Sequence, residues 1–368
     1  MEEKRPSLRE NLAKLDKLQL IPVLILFFMG VAFIFSAGSG FEGRGASFAF
    51  RQLLWGGISA GAFMVVLQLG HARIFSWAYS IYGLALALLF GVMVLGMTVK
   101  GAQSWFHLGF FRFQPAEFGK VALILVLAKH LCRYPPLEAP GFLGGLALAA
   151  LSAGLVFFQP DAGSAIVYGV IAMAAIVAAG APWKYPAGLA AIMTAAIPLG
   201  WQFLKEYQKM RIRVFIDPWV DPLGAGYNVI QSRIAVGSGG LLGKGFMEGL
   251  QSKLRFLPEP HTDFIFSVYC EELGFIGAVV MLLLFGALFW RLIETGMRAK
   301  DGRAKVLIAG ASAWIWFQMT ESIGMSIGLL PVTGLPLPLV SYGGSSLLAL
   351  AIILALAQSI YISTVKTY

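Results

Sequence analysis

Acidic side chains stand at or near the ends of several apolar segments of this sequence. Glu117, Asp161 and Asp263 each begin an apolar run, Glu272 follows nine residues after Asp263, and Glu321 lies inside a further run. A charged side chain at membrane depth is costly, so each of these acids is a candidate functional group. A carboxylate can accept a proton from a reacting hydroxyl. The acids are therefore candidates for general acid–base chemistry or for binding a polar ligand.

Helix capping is the alternative explanation for each acid taken alone, because Asp or Glu in a first turn satisfies free amide groups and the helix dipole. Lys120 lies three residues after Glu117, so the two side chains can also form a purely structural ion pair on one helical face. His130 and His261 have no partner at a metal-ligand spacing. The sequence therefore predicts no zinc site.

A long basic connection at 205–262 accompanies the acids. Its cations include Arg211, Arg213 and Lys244, and its apolar residues and a predicted short helix near 228–236 indicate an ordered lid. The Gly-rich run at 237–245 lacks the residues of a P-loop and follows no strand, which excludes a nucleotide site of that type. Two alternatives stay open: close backbone approach to a phosphate or membrane surface, with Lys244 supplying charge, or a plain turn.

Membrane-spanning helices must position these residues. Of 368 residues, 58% are hydrophobic and 13% are charged, and the mean hydropathy is +0.76. These values exclude disorder, a disulfide scaffold and a cytosolic nucleotide enzyme. Because a crossing needs roughly 20 apolar residues, we predict an all-α polytopic membrane protein that forms one domain over 1–368. The ten predicted crossings are 19–37, 52–69, 76–98, 117–134, 141–158, 162–180, 185–204, 264–290, 306–327 and 342–363.

The distribution of Lys and Arg predicts the orientation. Basic residues concentrate in the amphiphilic segment 1–18 and in alternate short loops, whereas the short outer loops hold only Arg44, Arg51, Lys100 and Arg112. The positive-inside rule then places both termini in the cytoplasm and the connection at 205–262, between helices 7 and 8, outside. The formal charge of +9 reflects this topology. No basic patch with interleaved aromatic residues supports nucleic-acid binding.

Specific stretches of sequence point to one family. Six of them, between residues 101 and 346, are Gln114 to Glu117, Gln159 to Gly163, Asp217 to Trp219, Gly237 to Gly245, Leu257 to Asp263 and Pro336 to Ser346. Together with the ten predicted crossings, these stretches resemble the SEDS family of polytopic cell-wall polymerases (shape, elongation, division and sporulation). Within that family, the residues at 251–259 and 328–338 most closely resemble the elongation member, RodA.

The resemblance implies a peptidoglycan glycosyltransferase that polymerises lipid II into β-1,4 glycan strands on the outer face of the bacterial cytoplasmic membrane during elongation, releasing undecaprenyl diphosphate. The family's essential Asp maps onto Asp263, and its paired acid and lysine map onto Glu117 and Lys120. A leaving diphosphate needs cations. We expect substrate or diphosphate binding by Glu117, Lys120, Asp161, Arg211, Arg213 and Lys244, with support from Gln114, Gln159, Glu259, His261, Thr262, Glu272 and Glu321.

Other functions remain as alternatives at this stage. A flippase for lipid-linked precursors, the division or sporulation paralogue, and a scaffold for a transpeptidase would all use a polytopic chain. The family also implies a class B penicillin-binding protein as partner within an elongation complex. No cofactor is certain, although Mg²⁺ or Mn²⁺ bridging Asp263 and the diphosphate is an option. Ser104 stands where many members have Arg, and Arg112 or Arg211 are candidate replacements.

Overall fold

The computed structural model describes residues 8–40, 43–99, 102–109, 111–203, 206–224 and 226–365. Helices dominate this part of the chain. The helices are α1 (Leu8–Ala13), α2 (Lys17–Ser39), α3 (Gly45–Leu69), α4 (His71–Ser76), α5 (Ala78–Leu95), α6 (Pro115–Arg133), α7 (Ala139–Phe158), α8 (Ala162–Ala178), α9 (Lys184–Phe203), α10 (Glu206–Ile216), a 3-10 helix (Pro218–Val220), α11 (Tyr227–Ser238), α12 (Leu250–Lys253), α13 (Ile265–Arg298), α14 (Gly302–Ile327) and α15 (Gly344–Val365).

Long helices occupy all of the predicted apolar runs. They are α2, α3, α5 to α9 and α13 to α15. Among the described residues, six of them, α2, α3, α5, α7, α13 and α15, are long and apolar enough to cross a membrane. The chain is thus a multi-pass membrane protein with a helical fold. The remaining four crossings stay predictions.

Two helices with polar side chains, α6 and α14, lie inside the bundle. α14 packs against α6, α8 and α13, and most of α6 is buried, including Glu117 and Lys120. A helix surrounded by other helices can hold polar groups that lipid would exclude. Their central position explains why these helices are less apolar than the outer ones.

A small antiparallel sheet between α5 and α6 is a feature that the all-α prediction missed. It contains β1 (Met97–Val99), β2 (Ala102–Leu108) and β3 (Phe111–Phe113), in the order β1-β2-β3. Gly109 has φ +71° between the second and third strands, a conformation that glycine adopts without penalty. The strands are too short to give a clear alternating pattern in the sequence.

Helix α13 is broken near its N-terminal end. Gly274 has φ +65° and ψ −161° inside it, a conformation available essentially only to glycine. The two amides after the break therefore lose their helical acceptors. Phe275 N donates to Gly240 O (2.9 Å) and Ile276 N donates to Leu241 O (3.1 Å) instead. The Gly-rich run is thus docked into the opened turn of α13.

Two further backbone bonds run in the opposite direction. Lys244 N donates to Glu271 O and Gly245 N donates to Glu272 O, each at 3.0 Å. The carbonyls freed by the break are satisfied in this way, which matters because an unpaired buried backbone group costs about as much as a lost hydrogen bond. The backbone of the Gly-rich run thus approaches the chain's own helix, and a contact of this run with a phosphate or the membrane surface stays a prediction.

The side chains of Glu271 and Glu272 hold the next part of the lid. Glu271 is fully buried and pairs with Lys244 Nζ at 2.8 Å. The amides of Leu250 (2.9 Å) and Gln251 (3.2 Å) also donate to Glu271 Oε1. Charge-assisted bonds of this kind are stronger than neutral ones. Residues 239–253 are therefore fixed to α13 through both backbone and side chains.

Two glycines of the run provide a matched test of this docking. Gly243 (φ +80°) has no room for a Cβ, which would overlap Glu272 O, whereas the Cβ of residue 240 (φ +55°) would meet nothing within 4 Å. Gly240→Ala should cost only the left-handed backbone penalty, about 1–2 kcal/mol. Gly243→Ala should add a backbone clash and lower the thermal unfolding temperature in detergent clearly further. Equal losses for the two variants would contradict the docked arrangement.

Candidate active site

Asp263 lies in the last turn before α13. Its side chain is partly exposed, and the N-cap residue of α13 is Phe264, which makes no side-chain capping bond. In Asp161, by contrast, Oδ1 accepts from Ser164 N at 3.0 Å and caps α8. The capping explanation therefore accounts for Asp161, whereas the N-cap position of α13 is occupied by Phe264 and not by Asp263.

The segment that leads to Asp263 is fixed from the side of α15. Ser341 Oγ donates to Thr262 O at 2.7 Å, and Tyr342 N donates to His261 O at 3.0 Å. Gln52 of α3 donates to Ser341 O at 3.2 Å. These bonds hold the backbone on the N-terminal side of the acid, so the supporting positions His261 and Thr262 act here through their carbonyls.

The rings and side chains of the same segment add further support. His261 stacks on Phe48 with ring centroids 4.5 Å apart, and Tyr342 lies 5.7 Å from it. Thr262 Oγ1 donates to Glu259 Oε2 at 3.4 Å. The predicted supporting residues Glu259, His261 and Thr262 thus help to hold the segment that precedes Asp263.

An irregular segment at 328–343 also passes close to Asp263. α14 ends at Gly328 in a left-handed C-cap conformation, a common way to end a helix, and Arg233 of α11 donates to Gly328 O at 2.7 Å. A Cβ added at Gly334 would stand 3.7 Å from Asp263 Oδ2. The chain therefore passes directly beside the candidate base.

The start of α8 approaches the same 328–343 segment. It includes Asp161, which was predicted to bind substrate, and it contacts the predicted supporting residue Gln114. Gln114 Nε2 donates to Asp161 Oδ2 at 3.4 Å, and a Cβ added at Gly163 would lie 3.0 Å from Thr333 Cβ. Gln159 instead turns to the bundle, where its Nε2 donates to Leu89 O at 2.9 Å. Gln114 and Asp161 thus contact each other at the start of α8, where Gly163 packs against Thr333.

Glu117 and Lys120 form a buried ion pair with Nζ and Oε1 2.7 Å apart. Lys120 Nζ also lies 5.0 Å from the ring centroid of Trp314, whose indole donates to Gln318. Glu117 Oε2 has no hydrogen-bond partner among the described residues. The structure thus shows the pair as part of the α6–α14 contact, and a role in substrate binding stays a prediction.

The predicted cations lie in different surroundings. Lys244 pairs with Glu271 and is 28% exposed, so its charge is already partly neutralised. Arg213 is exposed on α10, while the side chain of Arg211 lies outside the described residues. A diphosphate role for these cations stays a prediction.

Two predicted supporting acids are separated by the fold. Glu272 accepts from Ser36 Oγ and from Met247 N (2.9 Å), so it holds α2 and the lid together. Glu321 accepts from Thr333 Oγ1 and interacts electrostatically with Asp263. Glu321 is thus connected through Thr333 and Gly334 to the surroundings of Asp263, since a Cβ added at Gly334 would stand 3.7 Å from Asp263 Oδ2.

Several site residues were missed in the sequence. Ser341 and Thr333 lie within stretches that carried the family resemblance, so a signal existed, but Gln52 gave none. Within the described residues there is no group of three or more His, Cys, Asp or Glu side chains that could hold a metal ion. A cation at this site would need ligands from the substrate.

The buried pair gives a prediction that separates stability from function. Lys120→Met leaves Glu117 buried without its cation and should destabilise the protein by about 3–5 kcal/mol. The double variant Glu117→Gln/Lys120→Met should recover most of the thermal stability, because no charge remains unpaired. As a control, Lys253→Met breaks the exposed pair of Lys253 with Glu248, whose Nζ and Oε2 are 3.4 Å apart, and should cost about 0–1 kcal/mol.

Thermal stability and enzymatic activity, measured on the same samples, give the outcome for Glu117 and Lys120. If the pair also serves the reaction, the double variant stays inactive although it is stable. A double variant as unstable as the single one would contradict the ion-pair explanation.

Comparison with known proteins agrees with this architecture. The profile of the FtsW/RodA/SpoVE family, described as "Cell cycle protein", matches residues 16–366. "Peptidoglycan glycosyltransferase MrdB" of Escherichia coli K12 is 39% identical over 353 residues, 94% of each chain. "Stage V sporulation protein E" of Bacillus subtilis is 36% identical, over 90% of this chain and 93% of the relative.

Solved structures show the same fold. A chain described under "Structural coordination of polymerization and crosslinking by a peptidoglycan synthase complex" matches with a TM-score of 0.83 and 31% identity, covering 95% of this chain and 98% of that one. The Thermus thermophilus "Rod shape determining protein RodA" matches with a TM-score of 0.72 and 28% identity, covering 94% and 96%. The chain is therefore a member of the FtsW/RodA/SpoVE family of cell cycle proteins, the SEDS family.

Proposed function

We propose that Asp263 is the catalytic base with which this chain polymerises lipid II. The chain is a peptidoglycan glycosyltransferase of cell-wall synthesis, since relatives with that name are 37–39% identical over most of its length. The observation that supports Asp263 is its placement. It is a partly exposed carboxylate just before the N-terminus of α13. Hydrogen bonds from Ser341 and Tyr342 hold the backbone that precedes it, and residues 333–334 pass beside it.

The proposed reaction is a displacement at the donor sugar. The 4-hydroxyl oxygen of the acceptor N-acetylglucosamine attacks the anomeric carbon of the donor, and its proton passes to Asp263. The bond from that carbon to the diphosphate breaks, and undecaprenyl diphosphate leaves with the electron pair. Attack on the face opposite the leaving group gives the β-1,4 linkage. A base at this position is worth about 10²–10⁴ in rate.

The leaving diphosphate needs positive charge. We propose that Arg213, which is exposed on α10, supplies this charge together with Arg211 and Lys244. A divalent cation is a further part of the proposal: Asp263 would help to hold it, and it would supply positive charge to the leaving diphosphate. Replacing added Mg²⁺ and Mn²⁺ with a chelator tests this. An unchanged rate would remove the ion from the mechanism.

The topology that this mechanism requires is also proposed. Ten crossings would place both termini in the cytoplasm and residues 205–262, with α10, α11 and the docked run, on the outer side of the cytoplasmic membrane. The partner proposed is a class B penicillin-binding protein, because one similar chain comes from a complex described as joining polymerisation to crosslinking. The resemblance to RodA favours a role in elongation and shape.

Asp263→Asn should abolish polymer formation while the fold is kept. The change is isosteric and removes only the proton acceptor, so we expect the rate to fall at least about 100-fold. The measurement is the gel assay of glycan polymer from purified lipid II, with the protein alone and with its transpeptidase partner.

Glu206→Gln is the matched control, because Glu206 is a lid acid whose side chain is 77% exposed. It should leave the rate unchanged. Near wild-type polymer from Asp263→Asn would disprove the base assignment. Translocation of labelled lipid II in vesicles without any polymer would favour the flippase instead.

The topology predicts opposite labelling of two cysteines. The natural cysteines are Cys132, which is exposed and is replaced by Ser for this experiment, and Cys270, which is buried. In that background, Leu223→Cys (90% exposed) and Leu137→Cys (59% exposed) each add one accessible thiol. A membrane-impermeant maleimide added to intact cells, with an outer membrane permeabilised where one is present, should label position 223 but not 137. Position 137 should react only after the cytoplasmic membrane is opened. The reverse pattern would invert the proposed orientation.

A further inference from the structure

A small pocket lies between the lid and the segment that follows α14. Its volume is about 200 Å³, and its apolar lining consists of Val214 and Phe215 of α10, Val229 of α11 and residues 330–332. Asn228 of α11 is the polar side chain among the described lining residues. Pockets that hold a whole drug-sized ligand measure about 300–1,000 Å³. This pocket can therefore take only a part of a large lipid-linked substrate.

Hydrogen bonds hold the two walls of the pocket together. Ser232 Oγ of α11 donates to Ser326 O at 2.6 Å. The neighbouring Arg233 donates to Gly328 O at 2.7 Å. These bonds fix α11 to the end of α14, from which residues 330–332 continue. The pocket is thus preformed, which lowers the entropic cost of binding a ligand in it.

The pocket lies close to the candidate base. Val332 comes two residues before Gly334, so the two are at most about 7 Å apart. A Cβ added at Gly334 would stand 3.7 Å from Asp263 Oδ2. On the opposite wall, the exposed Arg213 directly precedes Val214 in α10. An apolar pocket is therefore flanked by the proposed base on one side and by a proposed diphosphate-binding cation on the other.

The chemistry of the lining favours a hydrocarbon over a sugar. A hydroxyl group that is buried without a hydrogen-bond partner is unfavourable, and the side chains of the lining offer a single amide for the several hydroxyls of a sugar. An isoprene unit is a branched hydrocarbon without polar atoms, so its burial between apolar side chains is favourable. In lipid II the diphosphate joins the anomeric carbon to the first isoprene unit. This unit therefore lies one diphosphate away from the reacting carbon.

We propose that the pocket binds the first isoprene units of the lipid-linked donor and so places its diphosphate between Asp263 and Arg213. This inference rests on the proposed function and assigns the pocket to the leaving group. The amide of Asn228 can donate a hydrogen bond to a diphosphate oxygen. In the proposed orientation, residues 330–332 follow the outer end of α14, so the rest of the prenyl chain can stay in the bilayer.

The probe for this pocket is neryl diphosphate, which carries only a diphosphate and two isoprene units. It should compete with lipid II in the polymerisation assay of the full-length protein. Its unbranched octadienyl counterpart lacks the two methyl branches and should inhibit about 15-fold more weakly, because burial of each methyl group improves affinity about fourfold. Inorganic diphosphate should inhibit more weakly still.

Filling the pocket should remove this selectivity. Val332→Phe enlarges a lining side chain and should weaken inhibition by neryl diphosphate about 10-fold, with a smaller effect on the octadienyl compound. Leu329→Phe is the matched control, because Leu329 is 68% exposed in the same segment and does not line the pocket. It should be inhibited like the wild type. If Val332→Phe does not fold, Phe215→Trp fills the pocket from α10 and should act in the same direction.

Thermal unfolding measures the binding without the reaction. A ligand that binds only the folded protein raises the unfolding temperature. Neryl diphosphate should raise that of the Asp263→Asn variant at least as much as that of the wild type, because the pocket is unchanged. It should raise that of Val332→Phe clearly less.

The outcomes separate this inference from the base assignment. Equal inhibition by neryl diphosphate and the octadienyl compound overturns the role of the pocket. Inhibition that neither Val332→Phe nor Phe215→Trp weakens also overturns it, because the probe then binds elsewhere. Normal polymerisation by Asp263→Asn disproves the base alone, since the selectivity for neryl diphosphate and its loss in Val332→Phe would still support the pocket.

Discussion

Four backbone hydrogen bonds join the Gly-rich run to the opened turn of α13, and the outer part of the site depends on them. The constraint behind them is general: a polar backbone group buried in a membrane protein must find a partner within the protein. The break at Gly274 removes helical partners, and the run at 239–245 replaces them. A helix end beside a candidate catalytic residue is thereby connected to a rigid lid.

The acids illustrate how one residue type serves different purposes according to its donors. Asp161 caps a helix, Glu271 binds a lysine and backbone amides, and Glu117 pairs with Lys120 inside the bundle. Each of these has its negative charge matched by nearby donors, which lowers the cost of burial. Asp263 differs because it is partly exposed. Glu321 differs from Glu117 because its donor among the described residues is the neutral hydroxyl of Thr333, whereas Glu117 is paired with the cation of Lys120.

The sequence predicted the long helices well, because runs of about 20 apolar residues report the membrane directly. It also indicated an ordered lid with a helix near 228–236, and the structure has α11 at Tyr227–Ser238. It could not assign partners to the acids. Glu272 and Glu321 look alike in the chain, and only the fold shows that Glu272 is engaged by Ser36 and Met247 while Glu321 binds Thr333. The small sheet and the contacts of Gln52 had no local signal either, since they depend on pairings between distant segments.

The docked turn of α13 also bears on how the protein is made. Synthesis proceeds from the N-terminus, so residues 239–245 are complete before Gly274 leaves the ribosome. The partner groups that the broken helix requires therefore already exist when α13 enters the membrane. The order of segments in the gene thus favours correct assembly, because a permuted chain in which α13 preceded the run would have to insert a helix with exposed amides and carbonyls.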